Sequence, residues 1–152
     1  MLPSVPLRAL LVTTQAHACA LPLEDVIETM RPLPIRPLAG TPRFVLGVAM
    51  VRGQALPVLD LGALLGSPPA SDARRFVTVR VGTRQAALAV ASVDGIVDFA
   101  PHDFQALPPL LGGADGVEAL RVADGQLFLT LQAARLLPQD LGSLILPDEE
   151  VS

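Results

Sequence analysis

The sequence predicts an all-β fold with short helical turns, arranged as a pseudo-symmetric pair of small barrels with a groove between them. Three observations lead there. First, the chain repeats itself. Arg8 to Val26 aligns without a gap on Arg75 to Val93 at a shift of about 67 positions, and Val45 to Leu65 aligns on Val117 to Leu137 at a shift of about 72. Two repeats of that length are too few and too long for a solenoid. Second, the apolar residues come in short blocks bounded by turn residues, as strands do. Third, the 152 residues fit a single domain, 1–152. Its lobes are expected over 7–66 and 75–137, with a linker at 67–74 and a loose acidic tail at 138–152. Lobes that small bury too little surface to stand alone and should share a core.

The elements follow in order. Ala9 to Thr13 and His17 to Leu21 flank a short polar turn and read as a hairpin. Pro22 to Val26 reads as one helical turn, because proline suits the first helical position and Glu24 and Asp25 suit the first turn. Ile27 to Met30 reads as a strand. Pro32, Pro34 and Pro37 then impose an extended connection, since proline fixes φ and restricts the residue before it. Phe44 to Val51 and Gln54 to Leu59 flank Arg52-Gly53, a two-residue hairpin turn in which glycine can take positive φ. Leu61 to Leu65 is a short helix that Gly66 can end. Ser67 to Asp72 is the clearest linker.

The second half repeats the plan. Phe76 to Val81 and Gln85 to Val90 flank Gly82-Thr83. A strand over Ile96 to Phe99 and a turn over Pro101 to Phe104 come next. Leu107 to Gly116, rich in proline and glycine, reads as a loop. Val117 to Val122 and Gln126 to Leu131 flank Asp124-Gly125, a strong hairpin signal. Ala133 to Leu137 is a short helix stopped before Pro138.

Composition narrows the chemistry. Hydrophobic residues make up 51% of the chain, yet no run approaches the roughly 18 residues that span a bilayer. The apolar excess points to a patch kept for a partner. Net charge is −4 and every one of the 11 basic residues is arginine. A Schiff-base or P-loop lysine is thereby excluded, and the acidity argues against nucleic acid. Arg74, Arg75, Arg80 and Arg84 form a local basic cluster that reads as a solvated strand face. The single cysteine, Cys19, excludes an internal disulfide and reads as a small buried hydrophobe. The first residues faintly mimic a signal peptide, but the apolar run is too short and is broken by Thr13-Thr14-Gln15. A cytoplasmic protein is expected.

No enzyme is expected either. His17, His102 and Cys19 have no metal-ligand spacing, and a Cys19–His17 pair lacks a third group to orient the base. Glu24, Asp25 and Glu28 read as a solvated acidic face. No cofactor or metal is expected.

The segment Phe44 to Gly66, FVLGVAMVRGQALPVLDLGALLG, closely resembles the signature of the CheW-like family, the adaptor domains of bacterial chemosensory arrays. That pattern is an aliphatic strand with an internal glycine, then Arg-Gly, then Pro-Val, then Asp-Leu before a short helix. ALPLEDV at Ala20 to Val26 is a second hallmark, and the resemblance runs from about Leu7 to Leu137. It implies two SH3-like five-stranded barrels and a non-catalytic adaptor that couples chemoreceptors to a kinase in an array beneath the membrane. The implied partners are the regulatory domain of a CheA-type histidine kinase, through a barrel-to-barrel face, and the cytoplasmic tip of a methyl-accepting chemoreceptor, in the inter-barrel groove. Other CheW-like proteins are further candidates. Neither nucleic acid nor direct membrane insertion is implied.

Matched by position, the resemblance marks Val26 and Glu28 after the ALPLEDV motif, and Gly47, Met50, Arg52 and Gly53 along the Arg-Gly hairpin. It marks Val93 and Ile96 as second-barrel residues lining the groove. Val26, Val93 and Ile96 suit the apolar floor for an amphipathic helix, and read equally well as core. Gly47 suits a close backbone approach. Arg52 suits a charge-assisted hydrogen bond. Gly53 is explained by the turn alone. The chain also departs from the pattern. Met50 stands where the family usually has asparagine, Gln15-Ala16 and Cys19 replace a turn glycine and an aromatic, and Gln132 replaces an acid. These departures keep a second reading open, a diverged accessory adaptor that has lost kinase binding and links a receptor to another regulator. A small-ligand β-barrel protein is a third.

Overall fold

Turn chemistry sets the hairpins. In the computed structural model, which describes residues 6–68, 73–105, 117–123 and 125–132, Gly53, Gly82 and Gly125 sit in hairpin turns with φ of 79°, 65° and 77°. The strands are β1 (Leu7–Thr13), β2 (Ala18–Pro22), β3 (Val26–Met30), β4 (Val45–Val51), β5 (Gln54–Asp60), β6 (Arg75–Val81), β7 (Arg84–Val90), β8 (Ser92–Phe99), β9 (Phe104–Gln105), β10 (Val117–Ala123) and β11 (Gln126–Leu131). Tight 3-10 turns occupy Leu23–Asp25 and Pro101–Asp103, and one short helix, α1, spans Leu61–Leu64. The Asp60 carboxylate caps α1 by accepting from the Ala63 amide at 3.2 Å, which satisfies one of the helix's orphan donors.

Most expected elements appear within a residue or two. The clearest exception is β8, which starts at Ser92 rather than Ile96. A bulge opposite Leu11 and Val12 absorbs Asp94 and lets pairing continue past it. The expected loop Leu107 to Gly116, helix Ala133 to Leu137, tail 138–152, turn residue Asp124 and linker positions 69–72 lie outside the described residues.

Two sheets result, one ordered β3-β6-β7-β5-β4 and the other β8-β1-β2-β11-β10-β9. The first is called barrel 1 and the second barrel 2. Neither is built from one contiguous half of the chain. Barrel 1 takes hairpin β6–β7 from the second repeat, and barrel 2 takes hairpin β1–β2 from the first. The expected lobes 7–66 and 75–137 therefore do not coincide with the sheets. Hairpin order cannot reveal this, because an apolar hairpin carries no mark of which sheet it joins.

The exchange is reciprocal and keeps register. The shift of about 67 carries the pair Val26–Val79 onto Val93–Val12, and Met30–Phe76 onto Val97–Ala9. The parallel pair Val58–Ala87 in barrel 1 corresponds to Thr130–Ala20 in barrel 2. Bulges recur too, in β3 between Val26 and Glu28, and opposite Leu11/Val12 in β8. An operation that sends each half onto the other and back again has order two, so the barrels are related by a pseudo-two-fold.

Both exchanged hairpins are buried on both faces, which is why they read as nearly continuous apolar runs. One face, including Leu10, Val12, Cys19 and Leu21 from barrel 2 and Val77, Val79, Leu88 and Val90 from barrel 1, forms a core shared between the barrels. The other face fills the barrels themselves. In barrel 1 it packs Phe76, Ala87 and Ala89 against Ala49 and Val58, and in barrel 2 it packs Ala9, Leu11 and Ala20 against Phe99 and Phe128. The shared core expected from lobe size is thus present.

Candidate functional site

The Arg52-Gly53 turn places one side chain with purpose. Arg52 has φ of 50° and Gly53 of 79°, the two positive values that a type I′ turn demands. Glycine or asparagine suits that first position better than arginine does. The turn aims the Arg52 guanidinium at β3, where Nε donates to Glu28 Oε2 at 2.6 Å and Nη2 donates to Oε1 at 2.8 Å. Two parallel bonds between a planar fork and a carboxylate fix direction as well as distance. The hydrogen bond with Glu28 is the main reason the Arg52 pKa is raised, and the same bond is the main reason the Glu28 pKa is lowered. β3 and β4 are opposite edges of barrel 1, so the ion pair ties together the two margins of the sheet.

The backbone under Glu28 is pinned as well. Its amide donates to Thr78 Oγ1 at 3.2 Å, and that hydroxyl donates back to the Glu28 carbonyl at 3.3 Å. The Arg52 side chain remains 78% exposed and that of Glu28 26% exposed. The outer edge of the guanidinium therefore faces solvent while its inner edge is held.

The other expected residues separate into three groups. Val26 and Val93 are pseudo-symmetric mates, half-buried, each leaning on the shared core. Met50 and Ile96 are large apolar side chains at 61% and 57% exposure. Met50 lies on β4, two residues before Arg52. Ile96 lies on β8 across from Leu10. Gly47 and Gly53 act through the backbone. At Gly47, with φ of 144°, a Cβ would collide with the Arg36 carbonyl, because the chain at Arg36 crosses there and bonds Val48 through both of its backbone groups at 2.8 and 2.9 Å. At Gly53 a Cβ would meet nothing, so the turn conformation alone accounts for it.

Sequence reasoning named Glu28 and Arg52 but not their contact, since 24 residues separate them and no helical or strand spacing links them. It missed the Arg8–Asp98 ion pair, 2.8 Å across β1 and β8, and the exposed Leu127 on β11, 58% accessible. Both are ordinary cross-strand or alternation outcomes once the sheet order is known. Cys19 is fully buried, and that burial pushes its thiol pKa up to about 12, which leaves it protonated and inert. At the far end of β7, Thr14 and Gln15 of the β1–β2 turn and Asp60, Gly62 and Arg74 line a cavity of about 270 Å³. Among the described residues, no helix is long and apolar enough to cross a membrane.

Two β-sheets that trade hairpins around a common core, with a fixed ion pair and bare aliphatic side chains at their margins, make a twin-barrel scaffold. The chain belongs to the CheW-like domain family, whose family model matches residues 8–141. It is 38% identical over 102 residues to Protein FrzA of Myxococcus xanthus, an alignment covering 65% of this chain and 62% of that protein. The chain thus spans less than two thirds of the length of FrzA. It is 29% identical over 114 residues to Chemotaxis protein CheW of Rhizobium meliloti (strain 1021), covering 70% and 72% of the two chains. The crystal structure of the scaffolding protein TtCheW from Thermoanaerobacter tengcongensis superposes with a TM-score of 0.75 over 84% of this chain and 90% of that one, at 22% identity. That likeness establishes the fold. The family is one of scaffold and adaptor domains of chemotaxis.

Proposed function

We propose that this protein is a chemosensory adaptor that joins the cytoplasmic tip of a methyl-accepting chemoreceptor to the regulatory domain of a CheA-type histidine kinase. The observation that carries this reading is Arg52. A non-glycine residue in the left-handed region costs on the order of 1 kcal/mol or more, and the turn would be better served by asparagine or glycine. A residue kept there against backbone preference, with its guanidinium braced by Glu28 and its outer edge in water, has the form of a contact held ready for a partner. Val26 and Val93 on the shared core and the exposed Ile96 supply apolar surface for a helical ligand. The likeness to a chemotaxis protein and to a scaffolding protein supports the same role. In this reading the protein works at the cytoplasmic face of membrane receptor arrays, and the contact with the kinase domain buries roughly 1,000–1,600 Å².

Binding of the full chain to the kinase regulatory domain and to a receptor tip fragment from the same organism tests this. The wild type should bind both. Arg52→Glu should weaken at least one about tenfold or more while circular dichroism stays unchanged. Normal binding of both by that variant means the docking residues are elsewhere. The exposed Met50 favours one second reading, an accessory adaptor without kinase contact. Binding of the receptor tip alone by the wild type selects it.

A further inference from the structure

The adaptor role leaves one cavity unused. It has a volume of about 270 Å³ and lies where the two barrels meet, at the opposite end of β5 from Arg52. The β1–β2 turn of barrel 2 contributes Thr14 and Gln15, α1 contributes Gly62, and the connection from α1 to β6 contributes Ser67 and Arg74. Ala89, Val90 and Ala91 form an apolar wall at the passage from β7 in barrel 1 to β8 in barrel 2. Backbone bonds hold these walls in place. The Ala91 amide donates to the Thr13 carbonyl at 2.8 Å, the Arg74 amide to that of Val90 at 3.1 Å, and the Ser67 amide to that of Gly62 at 2.9 Å.

The polar capacity that remains belongs to side chains, and most of it donates. The side chains of Arg74, Gln15 and Ser67 bond to none of the described residues. Thr14 Oγ1 accepts from the Ala16 and His17 amides at 3.3 and 3.0 Å, which leaves its hydrogen to give. Gly62 keeps the floor open. It is buried in α1 without a positive φ, so the backbone does not require glycine, and the second repeat has Ala134 at the matching position. Alanine also makes a stronger helix than glycine does. A Cβ at Gly62 would project between three lining residues, 3.4 Å from Asp60 Oδ1, 3.5 Å from Thr14 Cβ and 3.9 Å from Ser67 Cβ. Those are ordinary contact distances, so alanine would fit and would fill the space. The cavity is not duplicated by the repeat, because Leu7 stands where Arg74 would have its mate.

We propose that this cavity binds a short-chain aliphatic monocarboxylate, with its carboxylate on Arg74 and its chain against Ala89, Val90 and Ala91. A guanidinium with hydroxyl and amide donors around it suits a carboxylate. The Asp60 carboxylate in the same lining repels a second negative group on the ligand. The alanine and valine wall takes a short apolar chain, and the volume lies at the small end of ligand pockets. One ligand then touches both barrels across their seam, and its binding stabilises the whole molecule by mass action.

Titration of the full ¹⁵N-labelled chain with butyrate tests this. The amides of Gln15, Gly62 and Arg74 should shift together and saturate. Butyramide, which keeps the chain without the charge, and succinate, which adds a second carboxylate, should each bind at least about tenfold more weakly. Gly62→Ala should raise the thermal midpoint and abolish the saturable shifts, because the methyl group favours the helix and fills the site. Arg74→Gln changes an exposed side chain and should weaken butyrate about tenfold with the fold intact. Arg31→Gln, at another exposed arginine that lies outside the cavity, should leave binding unchanged. Drift of the wild-type amides without saturation overturns the proposal, as does full affinity for butyrate in both Gly62→Ala and Arg74→Gln. Butyramide binding as tightly as butyrate overturns the assignment of a carboxylate.

Discussion

Barrel 1 and barrel 2 share one strand plan and one set of registers, yet they are filled differently. In barrel 1 the aromatic filler is Phe76, carried by the exchanged hairpin, and its β4–β5 partners are Ala49 and Val58. In barrel 2 the exchanged hairpin contributes Ala9 at the equivalent place. The volume comes instead from Phe99 and Phe128, which meet edge-to-face with centroids 5.7 Å apart. Polar atoms also enter there. Arg121 and Thr130 are buried at the positions where barrel 1 has Ala49 and Val58. Backbone pairing tolerates this because register is fixed by bulges and turns, while interior volume can be supplied from any strand that points inward. Duplicated topology therefore constrains where chains pair more tightly than it constrains what fills them.

The largest effect should come from removing the aromatic of barrel 1. Phe76→Ala deletes a fully buried ring and should cost about 3–5 kcal/mol, read as a shift in the urea midpoint by far-UV circular dichroism. Because Val77 and Val79 of the same strand lie in the shared core, loss should appear as one transition for the whole molecule. Two separated transitions would show that the barrels unfold independently.

A reciprocal exchange sharpens the comparison at smaller scale. The Thr130 hydroxyl is buried without a hydrogen-bond partner among the described residues, and an unsatisfied buried group costs about 1–3 kcal/mol. Thr130→Val should stabilise the protein by about that amount, and Val58→Thr should destabilise it comparably. Equal and opposite shifts in denaturation midpoint are expected. Destabilisation by Thr130→Val would mean that the hydroxyl is satisfied in solution.

The smallest effect concerns acid. Glu28 in barrel 1 and Asp98 in barrel 2 both have pKa values lowered, chiefly by hydrogen bonds from Arg52 and Arg8 respectively. A depressed folded pKa contributes stability that is complete above the unfolded value and is lost as pH falls through the folded one. Stability should therefore drop on acidification through and below the ordinary carboxylate range. Glu28→Gln and Asp98→Asn should each flatten that limb of a stability-against-pH curve. The Asp98 change should matter less, because its pair is 65% and 58% exposed and water screens it on both sides. An unchanged acid limb in Glu28→Gln would remove the pair from the stability of the edge.

Much of this fold is legible in the sequence, and the reasons are local. Arg52-Gly53 and Gly82-Thr83 announce their hairpins because the chain must reverse within two residues there, and few residue types allow it. Asp60 before Leu61 announces α1 because its carboxylate is within reach of the amide three residues on. The repeat at shifts of about 67 and 72 anticipates the pseudo-symmetry. What stays hidden depends on contact between distant segments. Nothing in Ala18–Pro22 or Arg84–Val90 says that these hairpins lie in the other half's sheet, since both are apolar on two faces and would bury equally well in either. The bulge at Asp94 is hidden for a related reason. An acid and a glycine within a strand look like its end until a partner strand is there to pair past them. Of the candidate site, Glu28 and Arg52 are legible by type and position, but the bond between them depends on the sheet bringing its β3 and β4 edges together.

The hairpin exchange also has a consequence for synthesis. Hairpin β1–β2 is translated well before both of its neighbours in barrel 2, β8 and β11. Barrel 1 cannot close either until β7 has been made. Contacts so far apart along the chain make folding slow, and a chain that folds domain by domain as it is translated finds no complete unit here to fold early. The nascent protein carries an unpaired, doubly apolar hairpin until β8 has been made, and that is the interval in which a holding chaperone would matter most.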